Sequence, residues 1–177
     1  MANDESKYVY LSDGGHFDNM GLYELVRRRC YRIVICDAEQ DEEHMFAGIA
    51  SAIRKCRIDF GVEVTLDLEA LRPDKETGRC KAHHVLGTIR YPETPDEPSA
   101  GKILYIKSSL TGTIKRQNLA DLPCEPLDIL NYRLEHSAFP HDTTANQWFT
   151  ESQFESYRRL GQHMVAEVDL SGDWKRF

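Results

Sequence analysis

The chain has no C-x-x-C pair among its five cysteines, no apolar run near the roughly 20 residues that a bilayer crossing needs, and no surplus of positive charge. Each absence excludes something. Odd in number and widely spaced, Cys30, Cys36, Cys56, Cys80 and Cys124 suggest neither a disulfide framework nor a zinc knuckle, so a reducing compartment is expected. Twenty-nine acidic against 22 basic side chains leave a net charge of -7, which argues against a chain that grips nucleic-acid phosphates. The opening residues 1–7 lack the cationic-then-apolar pattern of a signal peptide, and a soluble, cytoplasmic chain is the expectation. No internal repeat or low-complexity segment divides the sequence. Its 177 residues, 41% hydrophobic, therefore read as a single globular unit over 1–177.

What is present is an alternation of strand-like and helix-like patterns. Tyr8-Val9-Tyr10-Leu11 is β-prone and stops at Ser12-Asp13-Gly14-Gly15, where two glycines permit a tight turn. A helix is expected next, capped by Asp18 or Asn19, with Met20, Leu22, Tyr23, Leu25 and Val26 at helical spacing and Arg27, Arg28 and Arg29 at its end. The unbroken apolar run Ile33-Val34-Ile35-Cys36, ending at Asp37, predicts a strand covered on both faces. A second helix over 43–55 and an alternating strand over 62–68 complete a β-α-β-α-β order. That order predicts an α/β fold, a mainly parallel sheet flanked by helices.

Beyond it, His84 to Tyr91 and Lys102 to Lys107 flank a proline-rich, acidic loop and can pair as a β-hairpin. Leu127, Leu130 and Leu134 predict a short helix with a leucine stripe inward, after the breaks at Pro123 and Pro126. A C-terminal helix opens at Phe149-Thr150-Glu151-Ser152-Gln153-Phe154, which fits a capping box inside a hydrophobic staple; Tyr157, Leu160 and Met164 continue its stripe.

Chemistry concentrates at Asp13. A carboxylate where a strand ends, followed by two glycines, stands where open α/β sheets place functional groups, and the glycines leave room for a substrate or second side chain. The alternative reading is a plain Asp-Gly turn. Beside it, His16, Asp18 and Asn19 can line a pocket, or serve only as a surface histidine and helix caps.

Read together, Leu11-Ser12-Asp13-Gly14-Gly15-His16-Phe17-Asp18-Asn19-Met20-Gly21-Leu22-Tyr23-Glu24-Leu25 resembles the Asp-Gly-Gly segment of bacterial patatin-like phospholipases. Further blocks resemble that family in the same order: Ile89-Arg90-Tyr91-Pro92, Leu104 to Leu110, Phe139-Pro140-His141-Asp142-Thr143-Thr144-Ala145, and Gln147-Trp148-Phe149 leading into Gln153 to Arg158. The resemblance implies a patatin-like α/β fold and hydrolysis of lipid acyl esters by a Ser-Asp dyad, with Asp13 as the base, Gly14 and Gly15 shaping its loop, and no cofactor. The departure is equally plain. No serine here has glycine at both minus two and plus two, and the glycine-rich oxyanion segment is missing as well.

The chain thus looks like the base-bearing C-terminal part of such an enzyme, inactive alone, with an upstream serine-bearing segment as partner. The competing expectation is a non-catalytic binding or assembly module that keeps the turn. A sheet deprived of strands exposes an edge, which predicts self-association into a homo-oligomer. Arg27 to Arg29 can touch anionic lipid, although three cations at a helix C-terminus are more often a solvated, dipole-compatible end. Asp37, at the end of its strand, is a weak second candidate. His83-His84 and the pair His136 and His141 lack metal-ligand spacing, so solvent-facing histidines and no metal are expected.

Overall fold

The computed structural model describes residues 7–8, 11–112, 125–143 and 145–168. Among the described residues, four α-helices and four strands run in the order α1 (Leu22–Arg27), β1 (Arg32–Asp37), α2 (Ala47–Phe60), β2 (Glu63–Leu66), β3 (His84–Arg90), β4 (Ala100–Lys107), α3 (Leu127–Glu135) and α4 (Glu151–Ala166). The strand expected over 8–11 rests on residues 9 and 10, which lie outside the described residues, as do Pro123 and Cys124.

The fold is mixed α/β, but the sheet is not mainly parallel. Its order is β1-β4-β3-β2, with β1 parallel to β4 and both other ladders antiparallel. The cause is the hairpin, which forms as the sequence suggests: β3 and β4 pair from His84↔Ile106 to Arg90↔Ala100 and insert together between β1 and β2. A β-α-β unit that would place β1 beside β2 is thereby split. Arg29 braces the hairpin loop by donating to Pro92 O at 2.6 Å and Pro98 O at 2.9 Å, so this arginine is not part of a solvated cationic end.

Side chains alternate along β4 between the two faces of the sheet. Ile103 and Tyr105 join Ile33, Ile35, Val64 and Ile89 under Leu22 and Val26 of α1 and Ile49, Ala52 and Cys56 of α2. Leu104 and Ile106 face the other way, into Ile129, Tyr132, Phe139, Leu160 and Met164. Each fully buried Val, Leu, Ile, Phe or Met side chain among these contributes about 1.5–3 kcal/mol by leaving water.

The second face is only partly covered. Val34 is 50% exposed and Leu86 54%, and Cys36 is exposed too. The apolar run in β1 therefore does not mark a strand buried on both sides. It marks a sheet edge: among the described residues β1 pairs on one side only.

Local signals explain three of the four helix starts. Asp18 accepts Met20 N at 3.0 Å and Tyr23 N at 2.7 Å, tying down the start of α1 as a capping carboxylate does. Thr150 Oγ1 accepts Gln153 N at 3.2 Å and caps α4. Helix α2 begins at Ala47, later than its periodicity suggests, because Asp41 accepts the Met45 and Phe46 amides and Phe46 adopts a left-handed φ of 54°. In α3 the leucine stripe faces outward: Leu127 and Leu134 are exposed, and Ile129 and Tyr132 fill the core. Both sets have helical spacing, and contact with Phe139 and α4 selects the second.

Candidate functional site

The carboxyl ends of β1 and β4 lie side by side, because Asp37 and Lys107 are register partners in the parallel ladder. Their charges meet there. Lys107 Nζ donates to Asp37 Oδ1 at 3.0 Å and to Glu39 O at 3.0 Å, and Asp37 Oδ1 also accepts Glu39 N at 2.8 Å. The remaining Asp37 oxygen accepts the Tyr105 hydroxyl, whose pKa is driven well above the phenol range by burial and then by the Asp37 charge. All these side chains are buried, so Asp37 is spent on neutralising Lys107 rather than offered to a substrate.

Glu39, just past the end of β1, links this pair to the Asp-Gly-Gly turn. Its Oε1 accepts Asn19 Nδ2 at 3.0 Å. Asn19 in turn packs against Gly15, where an added Cβ would stand 2.8 Å from Asn19 Oδ1 and 3.2 Å from Asp13 Oδ1. Gly15 is glycine because two polar side chains close over it. At Gly14 nothing lies within 4 Å of a Cβ position. Asp13 itself is exposed, begins the short 3-10 turn Gly14–His16, and accepts His16 N at 3.2 Å.

The structure thus brings Asp13, Gly14, Gly15 and His16 into one turn and sets Asn19 against it, bonded to Glu39 just past the carboxyl end of β1. Asp18 belongs to the start of α1 instead. Glu39, Tyr105 and Lys107 had no part in the sequence-based site. Nothing local marks them, since the Asp37–Lys107 contact spans 70 residues.

A separate cleft of about 350 Å³ is lined among others by His44, Cys80, Phe139 and His141. The rings of His44 and His141 are 4.9 Å apart, and Cys80 Sγ stands 3.6 Å from His44 Nε2 while donating to Leu71 O at 3.1 Å. Burial pushes the Cys80 thiol up to about 11, so it is held protonated and is not an activated nucleophile. Burial, then the neighbouring His44 and Lys107 charges, pushes His141 down to about 4. The expectation of solvent-facing histidines is corrected here: His83 and His141 are buried, and only His136 is exposed. Nothing in the residues flanking His83 and His141 distinguishes a buried histidine from a surface one.

No family model, curated protein or solved structure matches the chain. Among the described residues no helix is long and apolar enough to cross a membrane.

Proposed function

We propose that the chain supplies the general base of a patatin-like Ser-Asp acyl hydrolase acting on lipid esters, with the serine carried on an upstream segment. One observation carries this reading: Asp13 is an exposed carboxylate in a turn whose neighbour Asn19 is bonded to Glu39, just past the carboxyl end of β1, with open space at Gly14. An incoming serine hydroxyl held roughly 2.6–3.2 Å from Asp13 loses its proton to the carboxylate as it attacks the acyl carbon, assistance worth ~10²–10⁴ in rate. Donors for the developing oxyanion belong to the serine's own segment in this scheme. The outer edge of β1, unpaired among the described residues, offers a strand of that segment a place to add to the sheet. A second copy of the chain competes for the same edge, and peripheral contact with the lipid phase accompanies such a substrate.

A second reading is favoured by the bond from His16 N to Asp13, which gives the carboxylate a capping role without any chemistry. On that reading the chain is a binding or assembly module. Hydrolysis of p-nitrophenyl esters separates the two. The chain alone is expected to be inert; joined to a patatin-type segment bearing G-x-S-x-G, it gains turnover that falls by orders of magnitude in Asp13→Asn, which keeps the turn's shape. An Asn variant as active as its parent removes Asp13 from the mechanism.

A further inference from the structure

Away from Asp13, the end of α4 meets the segment entering β3 in a cluster of histidines and carboxylates. His83 is fully buried, and its Nδ1 lies 3.1 Å from Ser109 Oγ. The Ser109 hydroxyl hydrogen is committed to Lys107 O at 3.1 Å, so Oγ can only accept from His83. Nδ1 therefore carries the ring proton and Nε2 keeps a free lone pair.

That lone pair faces polar company. Thr111 Oγ1 is 3.3 Å from His83 Nε2, and Glu125 Oε1 and Glu167 Oε2 are each 3.8 Å away. Thr111 has one hydroxyl hydrogen, and the Glu125 carboxylate, 3.2 Å away and the stronger acceptor, takes it. No hydrogen is left for His83 Nε2 from this side. His163 shows the same deficit: its Nε2 is buried and stands 3.2 Å from Glu167 Oε1, yet lacks the alignment of a hydrogen bond. One ligand atom each from His83, His163 and Glu167 lie within 4.8 Å of one another.

We propose that His83, His163 and Glu167 bind a divalent d-block cation of the zinc class. Two imidazole nitrogens and a carboxylate oxygen, without sulfur, make a borderline donor set that suits zinc better than calcium or magnesium. Ligands ~2.0–2.2 Å from such an ion stand roughly 3.4 Å apart on a tetrahedron, so small rotations of His163 and Glu167 at the helix end close the set. Ser109 orients His83 through its far nitrogen, the outer-shell arrangement common to metal-bound histidines. Glu125 is a positioning residue that draws the Thr111 hydroxyl away from Nε2. Its own Oε2 is buried without a hydrogen bond, 3.7 Å from Arg79 Nη1, which offsets its charge.

The test uses the full chain without a polyhistidine tag, stripped with chelator, titrated with ZnCl₂ by calorimetry and with CoCl₂ by visible absorption. One ion per chain is expected, with intense tetrahedral cobalt bands. Glu167→Gln and His163→Gln should each weaken zinc by at least the ~10–100-fold typical of outer-shell changes, with unchanged far-UV circular dichroism. Glu167 is part-exposed at the helix end, so its variant folds even where a change at His83 does not. His136→Gln, at an exposed histidine outside the cluster, should bind as the parent does. Absence of stoichiometric binding, or Glu167→Gln and His163→Gln both binding like the parent, overturns the proposal.

Discussion

Asp37 and Lys107 are joined twice, as register partners at the ends of two parallel strands and as a buried ion pair of 3.0 Å. The pair is costly to break from either side. Lys107→Met should lower unfolding free energy by ~3–5 kcal/mol, because it leaves the Asp37 carboxylate buried with no cation to offset it. Adding Asp37→Asn should recover part of that loss. Urea denaturation of the single and double variants measures both, and a Lys107→Met loss under ~1 kcal/mol would mean that Asp37 is not charged in the native state.

Two glycines make opposite predictions from similar crowding. At Gly87 an added Cβ would stand 2.3 Å from Thr65 O, a backbone atom of the neighbouring strand, so Gly87→Ala should cost ~1–3 kcal/mol and lower the melting temperature by several degrees. At Gly48 the nearest atoms are the far ends of Glu39 and Met20. These can swing aside, and alanine's helix propensity offsets ~0.5–1 kcal/mol of the disturbance. Gly48→Ala should therefore melt near the parent temperature, yet displace Glu39 and free Asn19, visible as a selective shift of the Asn19 side-chain amide in an NMR spectrum.

His141 links stability to pH. Its imidazole is pushed down to about 4 in the folded chain by burial and by His44 and Lys107, against an ordinary value near 6.5 when unfolded. Between those values the unfolded chain binds the extra proton. The stabilising contribution is complete above pH 6.5 and declines as pH falls toward 4, by at most ~1.4 kcal/mol per pH unit. The difference between parent and His141→Gln unfolding curves at pH 7, 6 and 5 isolates this part; a difference that stays constant with pH would show that His141 does not carry it.

The elements were easier to read than their arrangement. Thr150 and Gln153 announced α4, and strand-like runs located β1, β3 and β4, since these signals are local. Sheet order was hidden because it depends on where a hairpin inserts, which the runs themselves do not encode. The face of α3 was hidden for another reason: Leu127 and Leu134 compete with Ile129 and Tyr132 at equivalent spacing, and only the partner surface decides. At the candidate site, Asp13 and its glycines were visible, whereas Glu39 and Lys107 acquire their place through contacts 20 and 68 residues long. His163 and Glu167 carry a local signal, standing four positions apart at the end of α4.

The parallel ladder of β1 and β4 also governs the order of events when the chain folds. The hairpin of β3 and β4 closes a short loop, from Arg90 to Ala100, and can form early. Joining Arg32 to Lys102 closes a loop of some seventy residues, a slower search with a larger entropic cost. The junction that carries Asp37, Glu39 and the Asp-Gly-Gly turn is therefore assembled late, after the hairpin exists for β1 to dock on. The chemically specialised corner stays open until β1 docks on the finished hairpin.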